Sequence, residues 1–156
     1  MQEIEMGISE SVKRLLAETE VVVHPDDYTI VSIPRGEDAK ARSLMCNLEP
    51  FSSVTHDKAE VSVVLKGEDW EDLKGQFGGF LEDGPYRLFS FDIVLDLSVV
   101  GFLAAVSDRL AEAGVSIYAL STYLRDHILV KKKDAEKAEE TLRNLIEECK
   151  QSLSNT

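Results

Sequence analysis

The chain has 156 residues, with 17 Lys and Arg against 29 Asp and Glu, a formal net charge of −12. That length allows one domain or two small joined ones, and folding at about this size buries roughly 68–70% of the chain's surface, enough for a core without disulfide or metal. A hydrophobic fraction of 44% excludes a disordered acidic chain, and the acidic balance argues against a nucleic-acid or anionic membrane surface, since both need a basic field.

In chain order, Ile8, Val12, Leu15 and Leu16 share one side of a short amphipathic helix over 8–19, with Ser9 as its N-cap. Glu20–His24 reads as a brief strand broken by Pro25-Asp26-Asp27, and Tyr28–Ile33 as a second strand stopped by Pro34. Glu37–Asn47 is weakly helical. Phe51–His56 and Glu60–Leu65 flank the turn residues Asp57-Lys58 and predict a hairpin with Val61, Val63 and Leu65 on one face. A short helix over Glu68–Lys74 leads into Gly75, Gly78, Gly79, Gly84 and Pro85, which read as a loop and a domain boundary.

The second half is more strongly patterned. Tyr86–Leu95 alternates Phe89, Phe91, Ile93 and Leu95 onto one face, with Ser90 and Asp92 on the other. Asp96-Leu97-Ser98 is a loop whose Ser98 suits an N-cap, and Val99–Ala113 is a helix closed by Gly114. Val115–Tyr123 is a strand apolar on both faces, Leu124-Arg125-Asp126 a turn, and His127–Lys132 a strand. Asp134 starts a last helix that ends near Lys150, with Ala138, Leu142, Leu145 and Cys149 inward. The order strand, helix, strand, strand, helix occurs twice, weakly and then clearly, which predicts an internal duplication. The expected fold class is α+β: two ferredoxin-like βαββαβ units in tandem, antiparallel sheets with helices on one face. The expected organisation is an N-terminal helical extension over 1–19, a degenerate first unit over 20–84, a second unit over 85–150 and a disordered tail over 151–156.

Few residues suggest chemistry. His24, His56 and His127 stand alone in sequence, and no metal-ligand spacing occurs. Cys46 and Cys149 share no motif, and Cys149 falls on an inward stripe as an inert thiol. The glycine run lacks the Gly-Lys-Ser/Thr ending of a phosphate loop. No catalytic set, cofactor or metal site is expected, and no leader or membrane-length apolar run is read, so the expected setting is the reducing cytoplasm. One region is more informative: the strand-to-helix loop at Ser98–Gly101 and the turn at Thr122–Asp126. A helix N-terminus offers free N–H groups to a carboxylate, Asp126 offers a counter-charge to a cationic group, and Tyr123 a stacking wall. Turn chemistry explains the same residues without a ligand: Ser98 caps, Gly101 packs, Asp126 makes the turn.

The start Val99-Val100-Gly101, a helix ending LAEAGVS, the strand Ile117–Leu120 and the block Ser121-Thr122-Tyr123-x-x-Asp126 running into Ile128-Leu129-Val130 resemble the ACT domain. Within it the chain is most similar to compact tandem-ACT proteins related to CASTOR, a cytosolic arginine sensor. The hairpin Phe51–Thr55 with Glu60–Val64 resembles the first unit of such a pair. The resemblance covers about residues 20–146 and leaves the first helix outside. It implies a non-catalytic regulatory protein that binds a small molecule, usually an amino acid, at an interface between units. The implied ligand residues are Ser98, Val99, Val100 and Gly101 on the loop, Ser116 and Ile117 on the interface strand, and Thr122, Tyr123 and Asp126 in the ligand block. With one tandem pair per chain, a complete interface site implies a homodimer. The alternative expectation is a protein-interaction adaptor with the same fold and no small ligand.

Overall fold

The structure, a computed structural model, describes residues 7–155; the first six residues of the expected N-terminal extension and Thr156 lie outside the described residues. Helix α1 (Glu10–Glu18) starts where Ser9 caps it, its Oγ accepting the Val12 N–H at 3.3 Å. Strand β1 (Glu20–Pro34) then runs unbroken through Pro25, where the sequence predicts a break. The reason lies in the register. β1 pairs with β3 (Glu60–Lys66) only from Tyr28 to Pro34, so Pro25 sits beyond the β3 ladder and its missing N–H costs no bond there. Next come α2 (Asp38–Leu44), β2 (Ser53–His56), β3, α3 (Gly67–Leu73) and β4 (Leu81–Asp92). The predicted hairpin forms as β2–β3, antiparallel from Ser53↔Val64 to His56↔Val61, with Asp57 Oδ1 accepting the N–H groups of Ala59 and Glu60.

Helix α4 (Phe102–Glu112), β5 (Ile117–Ser121), β6 (Asp126–Lys131) and α5 (Ala135–Ser154) complete the order. Three predictions need correction here. The segment 81–85 is strand and not loop. Gly84 belongs there because a Cβ would come within 3.1 Å of the Tyr28 carbonyl and 3.3 Å of Thr29 Oγ1 on β1. The helix predicted from Val99 begins three residues later, and its N-cap is Gly101 at φ +97°, not Ser98. The last helix continues to Ser154 where the sequence predicts a disordered tail from 151. Lys13 Nζ on α1 donates to Ser152 Oγ at 3.0 Å and ties that end down.

The chain divides into two compact units: the described residues up to His24 together with those from Leu88 onward, and Pro25–Arg87. The boundaries predicted from sequence, 19/20 and 84/85, differ from these, and α1 with the first residues of β1 groups with the second half of the chain. In the discontinuous unit the strand order is β1-β4-β6-β5, with β5 and β6 antiparallel from Ile117↔Val130 to Ser121↔Asp126. α1, α4 and α5 supply Val12, Leu16, Phe102, Val106, Leu110, Leu142, Leu145 and Cys149 to one core with Phe89, Phe91, Ile128 and Val130 from the strands. The continuous unit has the order β2-β3-β1-β4. Its core joins Val31, Ile33, Val61, Val63 and Leu65 to Ala41, Met45, Trp70 and Phe77. Trp70 stands edge-on to Phe80 at 4.9 Å, and its Nε1–H donates to Glu82. No helix among the described residues is long and apolar enough to cross a membrane.

Candidate functional site

Strand β4 leaves the core at Asp92, and the chain crosses to α4 through an irregular loop. Leu95 N–H donates to the Leu124 carbonyl at 2.8 Å, which fastens this loop to the β5–β6 turn. Asp96 then closes a tight turn. Its Oδ1 accepts the Ser98 N–H at 2.8 Å and the Ser98 hydroxyl at 2.6 Å, and its carbonyl accepts the Val99 N–H. The Ser98 hydroxyl, then its N–H, holds the Asp96 carboxyl below the usual carboxylate range, so Asp96 is an anion at neutral pH. Gly101 takes the left-handed conformation that turns the chain into α4.

The first intrahelical bond of α4 is Ala105 N–H to the Gly101 carbonyl at 3.0 Å, and no side chain caps the helix. The N–H groups of its first turn therefore point out of the helix end without a side-chain partner, at the positive pole of the helix dipole. Opposite them stands the β5–β6 turn. The Thr122 N–H and hydroxyl both donate to the Arg125 carbonyl, at 2.9 and 3.1 Å, and the Ser121 hydroxyl donates to Asp126 Oδ1 at 2.6 Å. Between loop, helix end and turn lies a cavity of about 250 Å³.

The structure brings five predicted site residues together on this cavity: Val99, Gly101, Thr122, Tyr123 and Asp126. The other four do not line it. Ser98 is engaged with Asp96, Val100 is 84% exposed on the far side of the loop, Ser116 is exposed ahead of β5, and Ile117 packs against the core. Sequence reasoning leaves out of the site Leu95, Asp96, Leu97, Phe102, Leu103, Ala104, Ser121 and Arg125, which also line it. The Asp96-x-Ser98 spacing, a side-chain-closed turn, is the signal for Asp96. Arg125 lines the cavity and is held by a carboxylate. Its Nε donates to Asp92 at 3.0 Å. The cavity thus has a positive helix end and the Asp96 loop on one side and the carboxylate of Asp126 on the other. No group of three or more His, Cys, Asp or Glu among the described residues is placed to hold a metal ion.

Behind the turn, the histidines are not alone. His127 on β6 is buried, and its Nδ1 lies 2.7 Å from Ser90 Oγ on β4; His24 Nε2 on β1 lies 2.8 Å from the same oxygen. His127 Nε2 lies 3.3 Å from Thr122 Oγ1. Burial, reinforced by His24, lowers the pKa of His127 from 6.5, so it is neutral at pH 7. A depressed histidine stabilises the fold above the unfolded pKa. The unfolded chain takes up a proton below about pH 6.5 that the folded chain refuses, so stability falls as the pH drops. Melting curves from pH 7.5 to 5.5 should show a falling Tm, with a shallower fall in His127→Gln; an equal slope in the two proteins would contradict this origin.

Part of the chain matches a known family. Residues 83–144, from β4 into α5 and including the whole cavity, match the ACT domain family. No curated protein matches the chain. Among solved structures, the chain is similar to a Vibrio cholerae protein described as of unknown function and a possible transport protein, with 24% identity and a TM-score of 0.69 over 88% of this chain and 97% of that one. An Agrobacterium tumefaciens protein has 23% identity and a TM-score of 0.68, covering 82% and 89%. The ligand-free regulatory subunit of aspartate kinase from Thermus thermophilus has 16% identity and a TM-score of 0.61, covering 81% and 97%. These identities speak for a shared fold.

Proposed function

We propose that the chain is a non-catalytic regulatory protein of two ferredoxin-like ACT units in tandem. It binds an amino acid in the α4 cavity and works in the cytoplasm as a homodimer. The single observation that carries the reading is the pairing, across one cavity, of an uncapped helix N-terminus with the carboxylate of Asp126. The helix end takes an α-carboxylate and Asp126 takes an ammonium or a cationic side chain, so the two poles of a zwitterion are both met. The volume, about 250 Å³, lies just below the roughly 300–1,000 Å³ of pockets for larger ligands and suits a single metabolite of amino-acid size. The match of residues 83–144 to the ACT domain supports the regulatory class. The nearer kinship with CASTOR-like tandem proteins rests on the block Ser121–Asp126, and the dimer on the edge of β5, which among the described residues pairs with β6 alone.

A thermal-shift screen against the twenty amino acids, with light scattering for the oligomeric state, tests the reading. A ligand at about 100 times its Kd adds roughly 2.7 kcal/mol, which raises Tm by roughly 5–11 °C for a protein of this size. The expected result is one amino acid with that shift, lost in Asp126→Ala. One observation favours the adaptor reading: Leu97 and Tyr123 on the cavity lining are 70 and 76% exposed, an apolar rim suited to a protein partner. A flat screen on a well-folded dimer would favour that reading.

A further inference from the structure

We propose that the groove between α1 and α4 docks a protein partner, an amphipathic helix with apolar side chains at one end and Lys or Arg at the other, and that the docked helix bears on the α4 cavity. The groove has a volume of about 330 Å³ and lies wholly in the discontinuous unit. Ile8 and Val12 of α1 line it opposite Ala105 of α4. Val100, which the α4 cavity leaves out, stands 84% exposed at one end of it. Asp108 and Glu112, both exposed, line the other end. Arg109 beside them adds no net charge, because its Nη1 lies 2.6 Å from Glu148 Oε2. The groove is therefore apolar where α4 begins and acidic where it ends.

Length and charge decide the occupant. Gly101, Ala104, Asp108 and Glu112 follow one another on one face of α4. At 1.5 Å per residue that face runs about 16 Å, or about three turns. A helix of similar length lies along it with its apolar side chains in the groove, whereas a free amino acid fills only part of it. Asp108 and Glu112 are one helical turn apart, so cations spaced by one turn on the partner meet both. Two occupants from within the protein match less well. A second copy laid antiparallel on the same face sets its carboxylates over the apolar end, and one laid parallel sets carboxylate against carboxylate. Residues 1–6 carry two glutamates and no Lys or Arg. Gly101 and Ala104 also line the α4 cavity, so the first turn of α4 is a wall of both spaces. A partner that shifts this turn reshapes the cavity, and the partner and the amino acid then change each other's affinity by one common factor. As regulation of amino-acid binding this rests on the reading above; the docking does not.

The test is NMR of the full chain with labelled amide nitrogen. The probe is a synthetic peptide of about four helical turns, made of Ala, Leu and Lys, with its leucines one turn apart at one end and its lysines one turn apart at the other. Saturable shifts are expected at Gly7–Val12 and Val100–Glu112, with a Kd below about 1 mM. The signals of Thr122–Asp126, across the α4 cavity from the shared turn, should move along the same curve. Asp108→Lys combined with Glu112→Lys should weaken binding at least about fivefold. Glu68→Lys combined with Asp72→Lys makes the same charge change on α3 in the continuous unit and should leave Kd within about twofold. Val100→Asp, at an exposed position, should weaken binding with Tm unchanged. Dispersed amide spectra establish that each variant is folded. Shifts that do not saturate, equal binding of a counterpart peptide with Glu in place of Lys, or equal losses from the two charge reversals would overturn the docking. Groove signals that move with protein concentration alone would give the face to a second copy and overturn it as well. Saturable groove shifts with Thr122–Asp126 unmoved would overturn the link to the cavity. Peptide binding beside a flat amino-acid screen would uphold the docking and count against the amino-acid reading.

Discussion

Phe91→Ala should cost the fold about 3–5 kcal/mol, the usual penalty for emptying a buried aromatic site. Phe91 is fully buried in the core of the discontinuous unit and meets Phe102 edge-on at 5.7 Å. That pairing adds about 0.5–1.5 kcal/mol beyond area burial. Against a total stability of about 5–15 kcal/mol for an ordinary domain, the loss is a large fraction. Thermal melts should show Tm lower by roughly 6–20 °C. Phe91→Leu, closer in volume, should cost less than half as much. Because Phe102 is the first residue of α4, the alanine variant also removes the support beneath the helix end that faces the cavity. Ligand-induced stabilisation should therefore shrink along with Tm. A melt within about 2 °C of the parent would mean that the core repacks around the missing ring.

Gly101→Ala should separate backbone strain from loss of the site. Gly101 has φ +97°, and an added Cβ would meet only Val12 Cγ2 at 3.6 Å, an ordinary contact. The penalty is therefore conformational, about 1–2 kcal/mol for an L-residue held in the left-handed region, or roughly 2–8 °C in Tm. Gly114 is the matched control. It has φ +76° after α4, and its nearest neighbour to an added Cβ is Lys137 Nζ at 4.0 Å. Gly114→Ala should cost a similar amount of stability at the far end of the same helix. Only Gly101→Ala should also lower the thermal shift given by the amino acid found in the screen, because only it moves the first turn of α4. Equal effects of the two variants on that shift would remove the helix N-terminus from the binding site.

Much of the fold is legible in local pattern. Ser9 announces α1, Asp57 makes the hairpin turn, and the alternation Phe89, Phe91 against Ser90, Asp92 gives both faces of β4. What escapes the sequence is set by distant partners. Pro25 reads as a strand break because nothing local says that the β3 ladder begins three residues later. Gly84 and Pro85 read as loop because only the β1 backbone beside them requires a glycine within a strand. The site is legible where its residues share a turn, as Thr122, Tyr123 and Asp126 do. The loop side is legible as a region but not residue by residue: Asp96, not Ser98, organises it. The histidines read as solitary because Ser90 lies 66 residues from His24 and 37 from His127, spacings that no periodicity encodes.

The interruption of one unit by the other has a consequence for synthesis on the ribosome. Residues 25–87 contain every strand and helix of the continuous unit, and its two ends already meet: the Arg87 guanidinium donates to the Pro25 carbonyl at 2.5 Å. Once residue 87 has left the exit tunnel, this unit has all its parts. The other unit has by then only α1 and the first residues of β1. Their apolar side chains, Val12, Leu16 and Val21, have no core to enter until α4 and α5 are made, and the Lys13–Ser152 bond closes a span of 139 residues. The nascent chain therefore carries an amphipathic helix without its partners for most of its translation, and the cavity-bearing unit is the last to assemble.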